Sequence, residues 1–448
     1  MRRWIASVAL PLAVFSAWAR AGAAAPAGAP SPWEVRIRTG PAVADLVEYA
    51  YRANPEIRAA RERWKATVER YRVTTGYPDP QLMVTYFPRP IETRLGPQDW
   101  NAVLSQRIPF PGKLSKAGEL VAADARIARL GLDRAVRDVI VRVRESYHEL
   151  LYIRDAKRVV EQNRKLLEHL RKVAETAHAR GRAAFVDVAK AQSQSAQLRY
   201  DALLLEELEQ TELARLNALL NRPPEAPIGP LSDEPVRSLA YSLDEIYRLA
   251  EAHQEEIRMA EARVDRARAK VDLARYQGLP DLKVGLFYAG IGSPDVPNEP
   301  DDAGRDAVGI QVGVTIPLWL GKNRGRTEGA RAELEAARAM RAARVNDTRA
   351  RIRSLYFRLG NAGRLITLYR DELLPQAARS LEVAETWFRE GQGSFSDFVE
   401  TESVYYNFQL ALARAAADHG KYLARLERLT GRSLTVRDAP APAEEGQR

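Results

Sequence analysis

The sequence predicts a mainly α-helical fold with a small β part, built from one structural unit that occurs twice. Two glycine-containing turns with similar flanks, at residues 179–188 and 389–400, are separated by about 210 residues. Around both turns, long stretches without proline show the apolar spacing of helices, and four short segments alternate apolar with small or polar residues as strands do. Each unit is therefore predicted to be a helix, a two-stranded hairpin, a long helix, a tight turn and a returning helix.

Composition favours an elongated helical protein. Of 448 residues, 28% are charged and 8% aromatic, a balance typical of long helices and coiled coils. The net charge of +9 raises the question of nucleic-acid binding. However, the basic residues are interspersed with acidic ones along the helices, which indicates solvated faces. No basic patch with base-stacking aromatics occurs, so no nucleic-acid partner is expected.

Residues 1–21 have the features of an export signal peptide. Arg2 and Arg3 precede an apolar run, and Ala19-Arg20-Ala21 offers a cleavage site. No later run supplies the roughly twenty apolar residues of a membrane-spanning helix. The chain has no cysteine, so neither disulfides nor a lipidated N-terminal cysteine is expected. Residues 22–41, rich in Pro, Ala and Gly, are predicted to be a flexible lead-in.

The first repeat is predicted at residues 42–222, followed by a linker at 223–242. Its predicted elements are a helix that breaks at Asn54-Pro55, strands at about 81–88 and 99–108, a long helix at about 114–179 and a returning helix at about 185–221.

The second repeat is predicted at residues 243–432, and the tail at 433–448 is expected to be disordered. Its predicted elements are strands at about 282–289 and 307–316, a long helix at about 323–390 and a returning helix at about 395–430. Equivalent positions support the duplication: Tyr147 with Tyr356, Leu150 with Leu359, Gly112-Lys113 with Gly321-Lys322, Asp79 with Asp281, and Ala174-Glu175-Thr176 with Ala384-Glu385-Thr386.

Four strands form too small a sheet to close on themselves. In lipid, an open sheet edge leaves backbone groups unpaired at several kcal/mol each, so spanning strands must join a closed barrel. Several chains must then contribute strands, and three chains would give twelve, a permitted number.

The duplicated hairpin and rod, with a G-x-x-x-F-x-D turn in each copy, resembles the TolC-like outer-membrane efflux proteins over about residues 42–432. The resemblance implies a homotrimer: a twelve-stranded barrel in outer-membrane lipid, continued by a periplasmic α-helical barrel. It also implies a periplasmic adaptor and an inner-membrane transporter as partners, the RND type being one candidate. Such a protein is a passive conduit for small molecules or metal cations, not an enzyme. The Ile108-to-Lys113 segment, I-P-x-P-G-K, is similar to the heavy-metal and cation branch.

Acidic residues beside the two turns are the candidate gate. In the resembled family, residues matching Asp397 and Glu400 ring the periplasmic mouth, and Asp187 is the matching residue of the first copy. Such a ring would favour cations over anions. Alternatively, Asp397 only caps its helix in a box with Ser394, and Glu400 is solvated.

The turns themselves are the candidate docking tip for an adaptor. The residues concerned are Arg180, Gly181 and Phe185 in the first copy and Arg389, Gly391 and Phe395 in the second. Alternatively, both phenylalanines only anchor their hairpins between helices. Arg180 and Arg389 are also candidates for ion pairs that hold the tip closed.

No catalytic, cofactor or metal site is predicted. None of the five histidines has a partner at the i, i+4 spacing of a metal site, and no serine lies in a nucleophile elbow. Two other kinds of protein remain open: an exported coiled-coil adaptor or scaffold of an export complex, and a secreted coiled coil that binds nucleic acid or surfaces. Neither would explain four alternating strands at equivalent points of two repeats.

Overall fold

The computed structural model describes residues 32–179, 184–295, 297, 301–390 and 392–435. The predicted signal peptide lies outside them. The helices are α1 (Pro32–Thr39), α2 (Val43–Ala53), α3 (Pro55–Thr75), α4 (Lys113–Ala179), α5 (Phe185–Leu219), α6 (Leu243–His253), α7 (Glu255–Tyr276), α8 (Leu320–Thr367), α9 (Leu374–Glu390) and α10 (Phe395–Thr430), and the strands are β1 (Gln81–Thr93), β2 (Gly96–Ile108), β3 (Leu282–Ile291) and β4 (Ala307–Val314).

The four strands form one antiparallel sheet in the order β1-β2-β3-β4. The two predicted hairpins therefore lie side by side, joined where β2 pairs with β3. The predicted strand limits need correction, because β1 continues through Pro88 and Pro90, β2 begins at Gly96, and β4 ends before Ile316. Proline cannot donate to a ladder, but β1 is an edge strand and tolerates it.

One face of this sheet is apolar and exposed. A row across all four strands consists of Leu82, Leu104, Leu286 and Ile310, paired in register, and all four side chains are exposed. A parallel row on the other face consists of Gln81, Ser105, Gly285 and Gln311. An exposed apolar surface of this size marks a contact with another protein or with lipid.

The predicted long helix of the second repeat is interrupted. Residues Leu368–Leu373 form a π-helical segment between α8 and α9, whereas α4 runs unbroken over 67 residues. The equivalence of the repeats explains the difference: Leu150 matches Leu359 with an offset of 209, but Ala174 matches Ala384 with an offset of 210. The second repeat has one extra residue in this interval, and a π-turn accommodates such an insertion.

The helices of the two repeats pack against each other, and α4 makes contacts in both repeats. α4 contacts α3 and α5 of its own repeat and also α7 and α10 of the second repeat. One apolar cluster joins residues of α1, α2, α3, α4 and α5, and Tyr147 and Leu150 of α4 are fully buried in it. In the part of the chain that is described, no helix is both long and apolar enough to cross a bilayer.

Parts of the predicted flexible lead-in and of the predicted disordered tail are ordered. Within the lead-in, residues 32–39 form α1, which starts with proline at its first position and buries Ile37 in the cluster around α4. Arg222 fixes this helix through Glu34, at 2.7 Å. Within the tail, Leu434 is fully buried among residues of α6, α8 and α10, and its carbonyl accepts a 2.9 Å hydrogen bond from Ala240 N.

Candidate functional site

The two predicted turns lie together at the far end of the helical rods. The apolar cluster at this end combines residues of α4, α5, α9 and α10. Lys190, in the first turns of α5, donates a 3.0 Å hydrogen bond from Nζ to Ser396 Oγ at the start of α10. The chain therefore brings both hairpins into one structure, which we call the tip.

The second turn is closed by backbone and side-chain hydrogen bonds. The amides of Gln392 and Gly393 both donate to the carbonyl of Trp387, at 2.9 and 3.1 Å. Ser394 Oγ then accepts from Asp397 N at 3.1 Å, and the Asp397 carboxylate accepts from Ser394 N at 3.4 Å. The predicted capping box is thus confirmed.

Capping leaves the acidic side chains accessible. Asp397 and Glu400 are both exposed in the single chain, on the first two turns of α10. Asp187 lies in the first turn of α5 and is half-buried. The N-cap residue of that helix is Ala184, which makes no side-chain hydrogen bond. Three carboxylates therefore stand at the helix starts of the tip, where a helix N-terminus stabilises negative charge.

The two equivalent phenylalanines have different environments. Phe395 is 1% exposed and packs against Phe388, with ring centroids 5.5 Å apart. Phe185 is 71% exposed. Phe395 therefore anchors its hairpin between helices, which was the alternative to a docking role. Phe185 remains available to a partner.

Of the other predicted tip residues, Arg389 alone belongs to the described part of the chain. Arg389 forms an ion pair with Glu385 one turn earlier on its own helix, so within this chain it does not bridge helices. Arg180, Gly181 and Gly391 lie outside the described residues.

Sequence reasoning missed a buried carboxyl in the tip. Glu402 is 2% exposed, next to Phe398 and Val399 in the apolar cluster, and its Oε1 has no hydrogen-bond partner among the described residues. Burial raises the pKa of Glu402 to about 7, although Asn163 and Ser403 act in the opposite direction. The only signal in the sequence was its position, four residues after Phe398 and four before Tyr406 on one helix face.

A second feature lies at mid-length, where a cavity of about 450 Å³ opens between α4 and α10. It is lined by His148 and His419, both mostly buried. Burial, with help from Arg144, lowers the pKa of His148 to about 4, and burial also lowers the pKa of His419. Among the described residues, no group of three His, Asp or Glu side chains is arranged to hold a metal ion.

Comparison with known proteins supports the family suggested by the repeat. Residues 246–432 match the profile described as "Outer membrane efflux protein". The pyoverdine export outer membrane protein OpmQ of Pseudomonas aeruginosa is 26% identical over 294 residues, or 63% of this chain. That match spans 60% of OpmQ.

The second repeat of this chain is therefore similar to the outer membrane efflux proteins.

Solved structures extend the fold similarity to both repeats of this chain. The outer membrane protein VceC of Vibrio cholerae superimposes with a TM-score of 0.72 at 19% identity, covering 88% of this chain and 96% of VceC. CusC superimposes with a TM-score of 0.73 at 14% identity, covering 87% of this chain and 92% of CusC. The mainly helical fold with a small antiparallel sheet is therefore confirmed.

Proposed function

We propose that three copies of this chain form a passive efflux channel, with a twelve-stranded barrel in the outer membrane and a helical tube in the periplasm. The observation that supports it best is the open four-stranded sheet with one exposed apolar face. Its outer strands, β1 and β4, each have one edge without a strand partner among the described residues. Lipid can cover the face, and only further strands can satisfy the edges.

The tip is proposed to be the periplasmic gate. Threefold repetition of Asp397 and Glu400 would concentrate negative charge in the pore and favour cations. The exposed Phe185 and the two turns are proposed to receive a periplasmic adaptor, which connects the channel to an inner-membrane transporter. Docking would favour an open packing of the tip helices over a closed one, through its different affinity for the two.

Two cargo classes follow from different observations. The I-P-x-P-G-K segment favours metal cations, whereas the relative OpmQ is named for pyoverdine export. Export measured in cells that lack the gene, for metal ions and for pyoverdine in parallel, separates the two. The proposal of a conduit itself depends on neither cargo.

Conductance in planar bilayers tests the channel and its gate. The purified protein should insert and conduct, with a preference for cations that falls in the combined variant Asp397→Asn, Glu400→Gln. The asparagine keeps a side-chain oxygen that can accept at the cap, so the helix start is retained. A matched control, Glu48→Gln with Glu62→Gln, removes two exposed carboxylates from α2 and α3 instead. Unchanged selectivity in the tip variant would reject the acidic ring. A protein that stays soluble without detergent and never conducts would instead be the coiled-coil scaffold.

A further inference from the structure

Within one chain, the two repeats are joined by a strand pair and a charge pair. Strand β2 pairs with β3 so that Leu104 lies opposite Leu286. Just beyond these strands, Lys113 Nζ lies 2.7 Å from Asp281 Oδ1 and 2.6 Å from the carbonyl oxygen of Leu279. Asp281 Oδ1 also accepts from Phe110 N at 3.0 Å. We call this strand pair with its charge pair the internal seam.

One sequence match and the strand pairings together show which residues of the two repeats are equivalent. Asp79 and Asp281 are equivalent in the sequence, with an offset of 202 residues. Applied to β1, this offset makes Leu82 equivalent to Val284, and Val84 equivalent to Leu286. Because Leu82 lies opposite Leu104, and Val284 lies opposite Val312, the offset from β2 to β4 is 208 residues.

The residues equivalent to the charge pair of the internal seam lie beside the two outer strands, β1 and β4. Asp79, the equivalent of Asp281, and Lys322, the equivalent of Lys113, are both exposed. Neither makes an ion pair with any described residue, whereas Lys113 and Asp281 are mostly covered. The apolar run Ile316, Leu318, Trp319 and Leu320 beside Lys322 is also exposed. A negative and a positive group, equivalent in sequence to those of the internal seam, thus lie beside the two outer strands of the sheet.

We propose that each contact between subunits copies the internal seam. In this arrangement β4 pairs with β1 of the partner subunit, with Val312 opposite Val84 of the partner subunit. Lys322 binds Asp79 of the partner subunit. The inference rests on the proposed oligomeric channel and specifies its interface. A head-to-tail contact of this kind must close into a ring or grow into a filament, and a ring leaves no strand edge unpaired.

The charge pair would fix the register of this interface. If β4 and β1 of the partner subunit paired with a register shifted by one residue, the apolar row would face the lumen. Only shifts by an even number of residues keep apolar side chains on the outer face of the sheet. A slip of two residues moves the strands by roughly 7 Å. That displacement exceeds the separation between nitrogen and oxygen in an ion pair, about 4 Å. Lys322 and Asp79 can therefore bind each other in one register alone.

Engineered disulfides test the register directly, because the native chain has no cysteine. The full-length protein carrying Val84→Cys and Val312→Cys is oxidised in outer membranes and run on denaturing gels. We expect bands of linked chains, about ten-fold stronger than with Val84→Cys and Val314→Cys, whose β-carbons are too far apart in this register. As a matched control, Leu104→Cys with Leu286→Cys should link within one chain and give monomer bands only.

Charge reversal provides a second, independent measurement. Lys322→Asp or Asp79→Lys alone should lower the linked fraction and the share of oligomer on native gels, and the two together should restore both. A sample that is trimeric and conducts, but links through residues 84 and 314 or through neither pair, would overturn this register and leave the channel standing. Failure of the double reversal to restore linking would overturn the role of the charge pair. A monomeric, non-conducting sample would overturn the interface and the channel together.

Discussion

The buried carboxyl of Glu402 should make the tip less stable as the pH rises. The side chain is 2% exposed, and its pKa is raised from 4.5 to about 7 by burial. The folded state therefore holds the proton more tightly than the unfolded state does. The stabilisation is complete below about pH 4.5, declines as the pH rises towards 7, and is absent above it. A pKa change of this size corresponds to ~3 kcal/mol.

The variant Glu402→Gln keeps the shape of the side chain and cannot ionise. It should match the native protein at pH 4 and exceed its stability at pH 8 by up to ~3 kcal/mol. Hydrogen exchange of the amides of α10 and urea unfolding followed by circular dichroism measure this difference. Glu400→Gln, on the exposed side of the same helix, is the control and should show no such pH dependence. An equal effect of Glu402→Gln at both pH values would refute the reasoning.

Two further predictions compare the two repeats. Phe395→Ala should destabilise the tip by ~3–5 kcal/mol, because it empties a fully buried aromatic site. Phe185→Ala should change stability by less than ~0.5 kcal/mol, and equal effects in thermal unfolding would contradict the packing described. Deletion of Arg370 should be tolerated, because removing one residue from the π-helical segment converts it to regular α-helix. Deletion of Arg158, in unbroken α4, should turn the helix beyond it by roughly 100° and abolish the tip contacts. Similar protease resistance of the two deletion variants would argue against the insertion.

The repeat and the strands could be predicted from the sequence because alternation and helical spacing are local signals. The extension of β1 through Pro88 and Pro90 could not, since it depends on that strand lying at the sheet edge. Similarly, α1 is held by the contact of Ile37 with distant helices and by the ion pair between Glu34 and Arg222. Local composition alone indicates flexibility there.

At the tip, the turns and the capping box could be predicted because glycine, serine and aspartate have strong local preferences. The burial of Glu402 could not, because it depends on which face of α10 packs against α4. The different environments of Phe185 and Phe395 have the same origin. Both follow a turn of similar sequence, but only one is enclosed by α9 and its neighbours. The π-helical segment was implicit in the change of offset from 209 to 210.

The different exposure of Phe185 and Phe395 affects how many equivalent docking sites the proposed channel would offer a partner. In the proposed trimer the chain would present six hairpins, and the phenylalanine that follows the turn would be accessible only in the three hairpins of the first repeat. A partner that binds these rings would meet three identical sites alternating with three different ones. A ligand with sixfold symmetry could therefore occupy the end of the tube only by making two kinds of contact in alternation.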